Sequence, residues 1–229
     1  MNDTITEINK DTFWGLIREA RDACGQDMSA MVEHLKGRLV SMGAEQAQNF
    51  HDITQAYEDL AYKYGLWDAA EIIMEYGCSN DGFIDFRAWL IAQGKEVYLA
   101  ALADPDSLAE VEPYGDCSFE QMSYVGEYAY RQLTGKSAYE QTDQRKYKKL
   151  VAELKQDITY KDGIQFPREG AELKQFLPRL CAKHPDRWRE PHWNLDLKVV
   201  RELFYAGKVH GHRQQVCKKK NRGHGGEAR

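Results

Sequence analysis

Two carboxylates and one guanidinium stand inside the most aromatic stretch of the chain, Asp81-Gly82-Phe83-Ile84-Asp85-Phe86-Arg87-Ala88-Trp89-Leu90-Ile91. On a helix, Asp81 and Asp85 lie one turn apart on one face, close enough to share a cation or to work as an acid/base pair. An apolar setting would raise their pKa values. A structural role is also open. Asp81 can cap the helix, and Asp85 or Arg87 can pair with Asp68, Glu71 or a neighbouring turn, because buried charges are as a rule paired. Ion-pair networks perturb pKa values without catalysis. Trp67, Asp68 and Trp89 are binding candidates beside this cluster, although core packing is the ordinary use of such tryptophans.

Other chemistry-bearing residues are scattered. Asp104, Asp106, Glu110, Glu112 and Asp116 crowd one region but lack the glycine and ligand spacing of a calcium loop, so a capped, solvated helix accounts for them better. His210-x-His212-x4-Cys217-x6-His224 places four zinc-type ligands in fifteen residues. The spacing matches no established finger, and Lys218, Lys219 and Lys220 would oppose a dication, so no metal is expected. Those three lysines with Arg222 could neutralise phosphates and give weak, salt-sensitive nucleic-acid binding. Trp188 and Trp193, set among arginines and prolines, are of the type used as interface anchors or stacking platforms. Nucleotide loops, nucleophile elbows, His-Glu-x-x-His and paired-cysteine motifs are absent, which leaves a cofactor enzyme unsupported and no cofactor expected.

Charge is divided along the chain. Residues 1–139 carry 10 Lys+Arg against 24 Asp+Glu, a balance of −14; residues 140–229 carry 21 against 12, a balance of +9. Such asymmetry fits docking of the basic part on the acidic part, on a protein partner or on nucleic acid, and an acidic half repels a polyanion, so nucleic acid is the less favoured partner. With 42% hydrophobic and 11% aromatic residues the chain has the material for a core. No signal peptide or membrane span is readable, and the five cysteines are widely and irregularly spaced, so a cytoplasmic protein without structural disulfides is expected.

These residues need helices to position them. Asp11 can cap a helix carrying Phe13, Leu16, Ile17, Ala20 and Cys24; Met28 to Met42 and Ala47 to Tyr64 follow at helical spacing, with Gly25, Gly43 and Gly65 as stops. A short helix opens at Leu66-Trp67-Asp68. The Phe83–Ile91 run, apolar around most of its circumference, reads as a buried central helix. Asp104-Pro105 is a cap followed by proline at the first position, and Ser118-x-x-Gln121 reads as a capping box for a helix ending at Gly135. Beyond it, Tyr147 to Leu154 reads as a helix, Ile158 to Phe166 around Lys161-Asp162-Gly163 suggests a small β-hairpin, and Asn194 caps a helix stopping at Gly207. The organisation expected is all-α: an acidic multi-helix domain over 1–139, a smaller basic, mainly helical region over 140–208, and a basic tail over 209–229.

Several strings together resemble a known bacterial family. They are Leu66-Trp67-Asp68-Ala69-Ala70, Gly77-Cys78-Ser79-Asn80-Asp81-Gly82-Phe83, Phe86-Arg87-Ala88-Trp89-Leu90-Ile91, Gly94-Lys95-Glu96 and Ala101-Leu102-Ala103-Asp104-Pro105-Asp106-Ser107-Leu108. With Phe13-Trp14 and Tyr128-Ala129-Tyr130 at its ends, roughly residues 12–137 resemble domain of unknown function 4240. The resemblance implies no chemistry. Asn80 replaces a second aspartate usual in the family, and Lys95 replaces an arginine; if that acidic pair bound a metal, its loss would count against binding in this chain. Three functional classes follow from the residues: an interaction or regulatory protein, whose acidic domain binds a protein or the chain's own basic half; an enzyme of unknown reaction using Asp81, Asp85 and Arg87; and a weak nucleic-acid binder acting through the basic end.

Overall fold

The protein's structure, a computed structural model, describes residues 5–187, which fall within one compact unit. Helices α1 (Lys10–Cys24), α2 (Met28–Met42), α3 (Ala44–Leu60), α4 (Tyr64–Ile73), α5 (Asn80–Ala92), α6 (Lys95–Ala103) and α7 (Glu120–Thr134) build the acidic part. Short 3-10 turns, Pro105–Glu110 and Gly115–Cys117, join α6 to α7. The basic part adds α8 (Ala138–Gln141), α9 (Gln144–Lys155), α10 (Gly170–Phe176) and α11 (Pro178–Lys183). None of these helices is long and apolar enough to cross a membrane.

Local chemistry explains most boundaries. Glycines at 25, 43, 94 and 135 take positive φ and stop or separate helices. Several caps differ from expectation. Asn9, not Asp11, caps α1, because its carboxamide oxygen accepts from the amides of Asp11 and Thr12 while the Asn9 backbone amide donates to the Thr12 hydroxyl. Ser79, not Asp81, caps α5 through the Gly82 amide at 3.0 Å. The Ser118 capping box does not form: α7 starts at Glu120 without a side-chain cap, and the Ser118 hydroxyl bonds Asp85 instead. Gly65 is not a stop but the second residue of α4, where its amide donates to the Ile164 carbonyl at 2.7 Å. A Cβ there would lie 2.8 Å from the Phe176 ring, so the close approach requires glycine.

No strand occurs among the described residues. Residues 158–166 form successive turns, closed by Ile164 N–H to the Lys161 carbonyl and Phe166 N–H to the Gly163 carbonyl, while Lys161 N–H bonds outward to the Leu102 carbonyl and the Ile164 carbonyl accepts from Gly65. As expected, α5 is the central helix, with Phe83, Phe86, Arg87, Ala88, Trp89, Leu90 and Ile91 all buried. It packs with α3 and α7, which run against each other along their length, while α1 and α2 close one side and α9 lies on α3. A second aromatic layer joins α1, α3 and α6: Trp14 Nε1 donates to the Tyr57 hydroxyl at 2.9 Å, and the Tyr98 hydroxyl donates to the Tyr57 carbonyl at 2.6 Å. Each such side chain contributes about 1.5–3 kcal/mol through burial, and the bonds remove the penalty for their polar tips.

The α3–α7 contact has a pinch point at Gly126, where a Cβ would meet the backbone nitrogen and Cα of His51 at 2.7 Å. Gly126→Ala should therefore destabilise the protein by about 1–3 kcal/mol, the cost of forced overpacking, despite the better helix propensity of alanine. Equilibrium urea unfolding checks this; an alanine variant as stable as the parent would refute the pinch.

Candidate functional site

The polar residues of α5 divide between its two sides. Side chains two positions apart project about 200° around a helix, so Arg87 and Asp85 leave α5 in nearly opposite directions. Arg87 is 3% exposed. Its Nε donates to the Phe83 carbonyl at 3.1 Å and its Nη1 to the Glu58 carbonyl at 2.7 Å. The guanidinium lies over the rings of Tyr62 and Phe83, 5.0 and 5.1 Å from their centroids. The Glu58 carboxylate, also buried, accepts from the Ser123 hydroxyl of α7 at 2.5 Å and from the Gln55 amide at 3.3 Å.

Asp81 is exposed and Asp85 half-buried on the other side of the helix. The Ser118 hydroxyl donates to Asp85 at 3.4 Å; burial, with Glu120 and Asp81 nearby, pushes the Asp85 pKa up. The structure thus groups Asp81 with Asp85 but sends Arg87 into the core. Among the described residues, no set of three His, Cys, Asp or Glu side chains is placed to hold a metal ion.

The other candidates are packed side chains. Asp68 is 1% exposed in α4 and faces Arg168, whose amide lies 3.5 Å and whose Nη1 lies 3.8 Å from its carboxylate. Trp67 stacks on Phe83 and donates through Nε1 to the Cys78 carbonyl at 2.7 Å. Trp89 is buried between Phe86 and Tyr114. Trp188, Trp193, His210, His212, Cys217, Lys218, Lys219, Lys220, Arg222 and His224 lie outside the described residues.

A feature that sequence reasoning missed is a cleft of about 760 Å³ between α1, the α5–α6 junction and the loop before Tyr114. Arg18, Arg21 and Lys95 bring positive charge to it and Asp11, Asp22, Glu96, Glu110 and Glu112 negative charge, beside Trp14 and Tyr114. Arg21 Nη1 donates to the Gln93 carbonyl, and the Gln93 side-chain amide donates to the Tyr114 hydroxyl at 2.9 Å. Gly94, at φ +93°, leaves room for the arginine; a Cβ would come within 2.9 Å of it. The available signal was Gly94 between two helices, with Arg18 and Arg21 one turn apart. Both charge signs with aromatic walls equip the cleft to hold a polar group, and among the described residues neither histidine nor cysteine lines it.

A second missed feature is His51, fully buried in α3 with no hydrogen-bond partner on either ring nitrogen. Tyr139 covers it edge-on, with ring centroids 4.3 Å apart. Burial lowers its pKa, opposed by Asp52 and Glu127. A depressed histidine contributes stability above its unfolded value of about 6.5, and that stability is lost as pH falls through the folded value. His51→Leu should accordingly flatten the loss of stability between about pH 6.5 and 5, by up to about 1.4 kcal/mol per pH unit for one proton. Urea unfolding across that range measures the slope; an unchanged slope excludes His51 as the acid-sensitive group.

The family model described as protein of unknown function (DUF4240) matches residues 8–132. No curated protein and no solved structure matches the chain.

Proposed function

The chain belongs to the DUF4240 family, and from that premise we propose that it is a non-enzymatic interaction module whose acidic helical surface takes up basic polypeptide, its own basic half included. The observation that carries this reading is the seating of Arg179. Its Nε reaches Asp106 at 3.0 Å, its Nη2 Asp104 at 3.1 Å and its Nη1 Glu110 at 2.5 Å. Asp106, 3% exposed, also accepts the amides of Arg179 and Leu180 at 3.0 and 2.9 Å, so one acidic residue both holds the guanidinium and caps α11. Lys161 Nζ adds a contact to Asp104 at 2.7 Å. A forked guanidinium matches several carboxylates better than a point charge does.

The catalytic alternative draws less support, because Asp81 and Asp85 share a face that Arg87 does not join. Nucleic-acid binding would set a polyanion against an acidic half of −14.

Titration of the full chain with a synthetic arginine-rich peptide tests the proposal. Saturable binding at low ionic strength is expected, weakening as salt screens the charges. Arg179→Ala should bind several-fold more tightly, since it removes the guanidinium from Asp104 and Glu110 while the backbone amides stay on Asp106. Equal affinity of parent and variant, or no binding by either, overturns the proposal.

A further inference from the structure

The cleft beside α1 holds opposite charges that do not meet. Arg21 Nη1 lies 2.9 Å, and Glu96 Oε2 4.0 Å, from the point that a Cβ on Gly94 would occupy. The two groups border one small space over a bare glycine, yet they form no ion pair with each other, and Glu96 meets no other cation among the described residues. Arg21 spends one nitrogen on the Gln93 carbonyl, which leaves its remaining donors without a partner among the described residues. Arg18 and Lys95, on the same cleft, likewise meet no carboxylate there. Glu110 differs, because Arg179 holds it.

Two further features of the backbone and the wall favour a ligand at this point. Gly94 is the N-cap of α6 and has no side chain to cap with, so the first amides of that helix receive no side-chain bond. Such a helix start, beside Arg21, suits a carboxylate. Gln93, 3% exposed, lines the cleft and spends its side-chain nitrogen on the Trp89 carbonyl and the Tyr114 hydroxyl. Its side-chain oxygen accepts from no donor among the described residues, which is unusual for so buried a group.

Opposite charges that border one space without closing on each other are both satisfied by a molecule that carries a carboxylate and an ammonium a few bonds apart. A lone anion would face Glu96, and a lone cation would face Arg18, Arg21 and Lys95. We propose that the cleft binds a free α-amino acid, with its carboxylate on Arg21 and the first amides of α6, its ammonium on Glu96, and its side chain in the remaining space. The volume of about 760 Å³ lies within the usual range for small-ligand sites. This site is separate from the seat of Arg179 and does not depend on the uptake of basic polypeptide.

Isothermal titration of the full chain with each common L-amino acid tests the proposal. At least one should bind saturably, with a Kd below about 1 mM. Its α-carboxamide and its α-hydroxy acid analogue, which each lack one of the two charges, should bind the parent protein at least about tenfold more weakly. Glu96→Gln changes an exposed side chain and should weaken the amino acid by a similar factor at an unchanged thermal midpoint. The proposal fails if no amino acid saturates below that limit. It fails equally if either analogue binds as tightly as the amino acid, or if Glu96→Gln keeps the parent's affinity.

Discussion

The buried guanidinium of Arg87 is the constraint on which the helical core depends. A cation removed from water must be met by oxygen and by aromatic faces, or its desolvation costs several kcal/mol. In this protein the Glu58 carbonyl of α3 takes one donor, the Phe83 carbonyl of α5 takes another, and Tyr62 and Phe83 supply the rings. The Glu58 carboxylate then extends the connection to Ser123 of α7. Three helices that apolar packing alone would let slide are held in register by directional bonds. Phe83, Phe86 and Trp89, three residues apart, stack in succession along α5.

Much of this was legible beforehand. The apolar circumference of residues 83–91 identified the central helix, and the spacing of Phe13, Leu16, Ile17 and Ala20 identified the buried face of α1. What escaped was decided partly by the local fold of a turn and partly by groups far apart in sequence. Ser79, Asn80 and Asp81 can all cap a helix, and only the fold of the turn chose Ser79. The alternation from Ile158 to Phe166 imitates a hairpin, but Gly65 and Leu102 supply better partners for its backbone than the opposite strand would. Gly65 carried the signature of a stop, yet its lack of a side chain serves a close approach of Ile164 and Phe176 to α4.

The candidate site was legible in composition and misleading in geometry. Asp81, Asp85 and Arg87 are neighbours in sequence, and the one-turn spacing of the aspartates does put them on one face. Arg87, two residues on, belongs to the other face, where its distance from solvent makes it a structural cation. The cleft beside α1 and the unpartnered ring of His51 gave no motif, because each draws on side chains separated by scores of residues.

The division of charge along the chain has a local physical meaning. Asp104, Asp106 and Glu110 lie within the span matched by the family, whereas Arg179, the Leu180 amide and Lys161 lie beyond it. A carboxylate as buried as Asp106 is stable only while its donors are present, since removing one partner of a buried charge costs more than the pair contributes. In this chain, therefore, the family span does not satisfy its own buried acid. Buried Asp68 likewise faces Arg168 from beyond the span, and exposed Asp59 takes the hydroxyl of Tyr147. Each of these acids lies in the matched span and each of these donors beyond it, so among the described residues the charge balance of the span draws on side chains that follow it.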